Sequence, residues 1–276
     1  PFGGDFEFVE LHNTSADTTL DLGGVQFSDG IDFAFGAGVT LGPQDYLLVV
    51  NADPAGDFSA FRAQYGLETD SGSPDYVPIY GPYSGQLDNA GEELRVSAAG
   101  GTVHIVAFEY DNGKGWPLAP DGGGHSLVPL DSALPAAATG SLYYGGNWRA
   151  STYVNGSPGE ADPAPPVTVM LNELKAHTDY SDPAHPGYDS NDWVELYNPT
   201  GAVVSLDEWY LSDDVDFLQK WAIPSTATIP AGGRLDFDEV SGFHQPITSG
   251  FGLNKDGEQL LLSHFPAAGP GRVVDE

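Results

Sequence analysis

Two apolar runs are separated by His177-Thr178-Asp179-Tyr180-Ser181-Asp182-Pro183-Ala184-His185-Pro186-Gly187-Tyr188-Asp189-Ser190-Asn191-Asp192, and Asp213, Asp214 and Asp216 follow a neighbouring run. Short carboxylates in turn-rich segments suit a hard cation, because calcium collects about six to eight oxygens from flexible loops. Asp179, Asp182, Asp189, Asp192, Asp213, Asp214 and Asp216 are therefore the candidate Ca2+ ligands, although their spacing is not that of an EF-hand. Turn capping and a solvated acidic surface are the competing uses of the same residues. His177 and His185 with Asp182 offer a ligand set of the zinc type, but nothing in the sequence fixes their geometry.

For acyl transfer a nucleophile must lie beside a base, and Gly124-His125-Ser126 is the one such pair in a Gly-rich setting. Neighbours on a strand face opposite ways, which argues against His125 and Ser126 acting together. Gly122-Gly123-Gly124 is not a phosphate loop, since no Lys follows it. The carboxylate pairs Glu92-Glu93 and Asp213-Asp214 show no sign of the cleft that acid–base work needs. The chain is accordingly read as no enzyme. Aromatic rings are the remaining candidates: Tyr76, Tyr80 and Tyr83 on a long loop, and Trp116, Tyr143 and Tyr144 with Trp148 and Tyr153 near later strands, could stack on a sugar or peptide, or could serve as core.

What must position these groups is a β framework. The chain has 276 residues with 36 Gly and 22 Pro, and its apolar residues come in short runs with little helical periodicity. Its length suits two domains, each able to bury a core. Lys and Arg number 9 against 40 Asp and Glu, a formal charge of −31. Such a surface repels nucleic-acid phosphates and anionic membranes and attracts cations. Cysteine is absent, so disulfides, thiolate metal sites and thiol catalysis are excluded. No run approaches the roughly 18 apolar residues of a membrane helix, and the opening Pro1-Phe2-Gly3-Gly4 reads as a cut rather than a leader.

Three blocks recur in the same order. Phe8-Val9-Glu10-Leu11-His12-Asn13 matches Trp193-Val194-Glu195-Leu196-Tyr197-Asn198, Val25-Gln26-Phe27-Ser28-Asp29 matches Trp209-Tyr210-Leu211-Ser212-Asp213, and Leu87-Asp88-Asn89-Ala90-Gly91-Glu92-Glu93-Leu94 matches Leu253-Asn254-Lys255-Asp256-Gly257-Glu258-Gln259-Leu260. In the first block Val9 and Leu11, like Val194 and Leu196, share a face opposite Glu10 and Glu195. Tyr46-Leu47-Leu48-Val49-Val50 is apolar on both faces, as a central strand would be. Val167 to Leu174 adds an opening strand that the first copy lacks before Phe8. Asn89-Ala90-Gly91 and Asp256-Gly257 read as hairpin turns. Asn155 to Pro166, rich in Pro, reads as an extended linker, which places the domains at 1–160 and 161–276. One helix is expected, capped by Asp53, begun at Pro54, with Phe58, Phe61 and Tyr65 on one side and Gly66 at its end, packed over an open sandwich end.

These blocks, with Ile229-Pro230-Ala231-Gly232-Gly233 and Gly252-Leu253-Asn254-Lys255-Asp256-Gly257-Glu258, resemble the lamin tail domain, an Ig-like β-sandwich. Bacterial members are similar from Ala176 to Asn198, in Pro117 to Leu127, and at Asn147-Trp148-Arg149 and Asn155 to Gly159. The resemblance implies an all-β chain of two tandem Ig-like sandwiches that serve as non-catalytic accessory modules of large exported or cell-surface bacterial proteins, sometimes beside hydrolase or kinase-like domains. The first copy departs in lacking the opening strand, and the second stops before the segment equivalent to Asp121 to Pro158. Both would then present sheet edges open to self-association or to strand addition by a partner, and the chain reads as a fragment of a longer protein. A protein or glycan partner, further domains of the parent chain, and Ca2+ are the expected associates. The alternatives are a Ca2+-dependent carbohydrate-binding or adhesion module and an accessory part of an extracellular hydrolase.

Overall fold

The structure, a computed structural model, describes residues 6–51, 57–113, 115–131, 142–176, 191–244 and 250–276. Among the expected features, Asp53, Pro54, His177, Asp179, Asp182, His185 and Asp189 lie outside the described residues. The chain is all-β and divides into two compact units, one of Pro1–Ser151 with Asn155–Pro163, the other of Thr152–Val154 with Ala164–Glu276.

In the first unit the strands are β1 (Phe8–His12), β2 (Leu20–Asp21), β3 (Gln26–Asp29), β4 (Ile31–Ala34), β5 (Thr40–Leu41), β6 (Tyr46–Val50), β7 (Ile79–Tyr80), β8 (Ser84–Gly85), β9 (Glu93–Ser97), β10 (His104–Glu109), β11 (Leu127–Pro129) and β12 (Trp148–Ala150). One sheet has the order β1-β6-β7 and a second β10-β9-β3-β4-β8, with β2-β5 and β11-β12 as separate ladders. The second unit comprises β13 (Met170–Lys175), β14 (Trp193–Tyr197), β15 (Val204–Ser205), β16 (Trp209–Ser212), β17 (Trp221–Ala222), β18 (Thr228–Ile229), β19 (Arg234–Asp238), β20 (Leu261–His264) and β21 (Arg272–Asp275). Its ladders are β13-β14-β19, β17-β16-β20-β21 and β15-β18.

Six strands of the two orders correspond: β1, β6, β3, β4, β9 and β10 take the places of β14, β19, β16, β17, β20 and β21. The register is also shared. Glu10 lies opposite Leu48 and His12 opposite Tyr46, as Glu195 lies opposite Asp236 and Tyr197 opposite Arg234. Between the sheets of the first unit, Leu47 and Val49 join Phe27, Ile31, Leu94 and Val96 in one core. In the second, Val194, Leu196, Leu211 and Leu262 do the same.

A buried asparagine follows the first matched strand in each unit and ties the adjoining turns together. Asn13 Nδ2 donates to the carbonyls of Thr18, Leu41 and Gly42, and Asn198 Nδ2 to those of Ala202, Ile229 and Pro230. A second shared device is the turn before β9 and β20. Gly91 N–H and Gly257 N–H each donate 3.0 Å to the carbonyl three residues back, Asp88 and Asn254. The side chains of Glu92 and Glu258 accept from the backbone N–H of those same two residues. Gly91 is required there, because its φ is 103° and a Cβ would stand 2.3 Å from the Tyr110 carbonyl.

The units differ between β6 and β9. There the first inserts helix α1 (Ser59–Tyr65), whose Phe61 packs with Leu48, Val50 and Ile79 on the outer side of β1-β6-β7. This corrects the expected placement: α1 covers a sheet face rather than a sandwich end, which is why β6 is apolar on both faces. The helix also starts later than expected, at Ser59, where Asp57 accepts from the Ser59 N–H; it ends at Gly66 as read from sequence. Part of the expected linker is likewise structure. Gly159 N–H donates to Glu10, and Ser157 and Arg149 both bind Asp162, so Asn155–Pro163 belongs to the first unit.

Candidate functional site

The outer face of β13-β14-β19 corresponds to the face that α1 covers in the first unit. Where the first unit has Phe8, Glu10, Leu48 and Val50, the second has Trp193, Glu195, Asp236 and Asp238. These four line an open depression of about 310 Å³. Strand alternation explains the surface: in β19 Leu235 and Phe237 pack toward the core while Arg234, Asp236 and Asp238 take the other side. Glu173 extends the carboxylate row across β13, opposite Glu195, and Lys175 lies opposite Trp193. Glu195 accepts from Asn172 Nδ2 and is paired with Arg234 at 3.3 Å, whose guanidinium lies 4.9 Å from the centre of the Tyr197 ring. The face thus combines an aromatic edge with carboxylates that outnumber its cations, which suits an amine, guanidinium or other cationic group.

Of the candidate Ca2+ ligands, Asp192, Asp213, Asp214 and Asp216 fall among the described residues. Asp213 pairs with Lys220, and Asp214 caps a short 3-10 turn at Val215–Phe217 by accepting from Asp216 N–H at 3.0 Å. Asp216 is exposed. Asp192 is buried; its Oδ2 accepts from Leu253 N–H at 2.6 Å, and its Oδ1 has no partner among the described residues. Glu7 holds the matching position and accepts from Leu87 N–H, Tyr83 Oη and Asn51 Nδ2. Glu239 stands where Asn51 does, so Asp192 lacks the amide donor that Glu7 has. Among the described residues no three His, Cys, Asp or Glu side chains stand close enough together to hold a metal ion.

The chain matches no protein-family model, no curated protein and no solved structure.

Of the aromatic candidates, Tyr83 and Trp116 are buried, the latter 5.9 Å from Trp148 between ring centres. Tyr80 is half-buried edge-to-face against Phe35, and Tyr76 lies under the Arg62 guanidinium at 4.3 Å. Tyr143 and Tyr144 are exposed, at 46% and 67%. His125 is buried with Nδ1 2.7 Å from the Ser151 carbonyl, and burial pushes its pKa down. Ser126 N–H donates to Ser151 Oγ, and its own Oγ lies against Gly156, where a Cβ would be 2.3 Å away. Glu92 accepts from Tyr110 Oη and Glu93 pairs with Arg95. His125, Ser126, Glu92 and Glu93 are thus engaged in the fold.

Trp193, Glu195, Asp236 and Asp238 were not singled out by residue type. The signal that finds them is a comparison of copies: Tyr-Leu-Leu-Val-Val at β6 against Arg-Leu-Asp-Phe-Asp at β19 marks one covered face and one open face.

Proposed function

We propose that the chain is a non-catalytic interaction module, two lamin-tail-like, Ig-like β-sandwiches in tandem within a larger exported or cell-surface bacterial protein, and that its second unit docks a cationic partner on the outer face of β13-β14-β19. The observation that carries the reading is the contrast between matched faces: the first is sealed by α1 through Phe61, whereas the second, among the described residues, is open and lined by Trp193, Glu195, Asp236 and Asp238. An interaction surface needs an aromatic anchor with complementary charge around it, and this face has both. The test is calorimetric titration of the intact chain with a lysine-rich peptide and with a glutamate-rich peptide of equal length. The lysine-rich peptide alone binds, binding weakens as salt rises, and Glu195→Gln with Asp236→Asn weakens it about tenfold or more. Equal binding by that variant overturns the proposal.

A second reading, a carbohydrate-binding or adhesion module, is favoured by the exposed Tyr143 and Tyr144 rings. Glycan binding that needs Ca2+ and is lost in Tyr144→Ala would establish it, and a glycan array without signal in Ca2+ would remove it.

A further inference from the structure

Glu10 and Glu195 occupy the same register position, yet their surroundings differ in charge. Glu195 has Arg234 at 3.3 Å and the Asn172 amide. At Glu10 the place of Arg234 is taken by Tyr46, which carries no charge and stacks on His12 with ring centres 4.2 Å apart. On its other side the segment after β12 supplies one donor, Gly159 N–H, and brings Glu160 and Asp162 with it. Arg149, the cation that pairs with Asp162, is bound also to the Ala150 and Asp162 carbonyls. Every charged group that faces Glu10 from β6 and from this segment is therefore anionic or already paired, and His12, next on its own strand face, is held toward its neutral form by burial.

We propose that Glu10 and the segment Asn155–Pro163 form a pH-sensitive clasp, in which neutral Glu10 seats the segment on β1 and ionised Glu10 repels Glu160 and Asp162 and loosens it. The segment fits closely when seated: a Cβ at Gly159 would stand 2.5 Å from Val77, and one at Gly156 2.3 Å from Ser126 Oγ. Burial first, then Glu160 and Asp162, push the Glu10 carboxyl up from 4.5 to about 7, against the opposing bond from Gly159. The clasp is thus closed in mildly acidic solution and opens as the pH rises through neutrality.

The test is an NMR titration of the intact chain from about pH 5 to about pH 9, following the Glu10 side-chain carboxyl carbon and the Gly159 amide, with amide exchange corrected for intrinsic rate. The two resonances move together with a midpoint near 7, and protection of Gly159 to Asp162 falls about tenfold or more between the limits. In Glu10→Gln that loss disappears and the segment stays protected at high pH; Glu160→Gln moves the midpoint down. A Glu10 midpoint near 4.5, or unchanged protection across a Glu10 titration, overturns the proposal. The wild-type titration decides the matter even if Glu10→Gln does not fold.

Discussion

Asn13 and Asn198 end matched strands, and their side-chain amides each reach three carbonyls from two separate turns. Buried carbonyls left without donors cost about 1–3 kcal/mol each, partly relieved by water. Asn198→Ala is therefore expected to lower the unfolding free energy by about 3 kcal/mol, and Asn13→Ala by a similar amount, as read from urea midpoints at constant m-value. Glu10 gives a residue-scale prediction with a defined sign. Its folded-state pKa, about 7, lies above the unfolded value near 4.5, so the folded state binds the extra proton between those limits. Stability then falls as pH rises from about 4.5 to about 7 and levels off above, by at most about 3 kcal/mol. The difference between wild type and Glu10→Gln isolates this contribution from the other carboxylates. Sequence shows Asn13 and Asn198 as strand stops, and Glu10 as an outward residue, but not what they bind. Those partners lie about 30 and 150 residues away, at Leu41 and Ile229 and at Gly159, where pattern along the chain does not reach.

Helix α1 decides the difference between the two halves. It has only 7 residues, too few to hold itself together, so its stability comes from Phe61 and Tyr65 packing on Phe8 and on β6. Phe61→Ala should cost about 3–5 kcal/mol and expose the outer face of β6. The check is a rise in hydrophobic-dye binding with loss of protection at Leu48 and Val50, and with β14 and β19 amides unchanged. Periodicity made the strands legible: alternation in Val9, Leu11, Val194 and Leu196 gave the inward face, and the repeated blocks align with the same register in both units. It failed at two places where tertiary contact overrides composition. Gly156-Ser157-Pro158-Gly159 has the composition of a linker, yet it packs because Glu10, Ser126 and Val77 accept it closely. The helix was legible from Phe58, Phe61, Tyr65 and Gly66, but its place over a sheet face follows from the apolar outer side of Leu48 and Val50, which a strand buried on both sides also shows.

Across the whole molecule the net charge of −31 acts as a self-repelling field. Raising NaCl from about 10 to about 150 mM should raise the Tm by screening it, and a comparison of Ca2+ with Mg2+ at equal ionic strength separates this screening from specific binding. A larger rise with Ca2+ alone would favour the calcium-dependent reading. Diffuse charge also means that any cation binds weakly over much of the surface, so affinity alone does not locate a site. Location separates a docking face from that background. The most direct measurement is a chemical-shift map of the intact chain titrated with a lysine-rich peptide at physiological salt. A localised docking face gives shifts confined to the Trp193 indole and to the amides of β14 and β19, with β1 and β6 silent beneath α1. Shifts spread evenly over the acidic surface, or equal in β1 and β14, would contradict it.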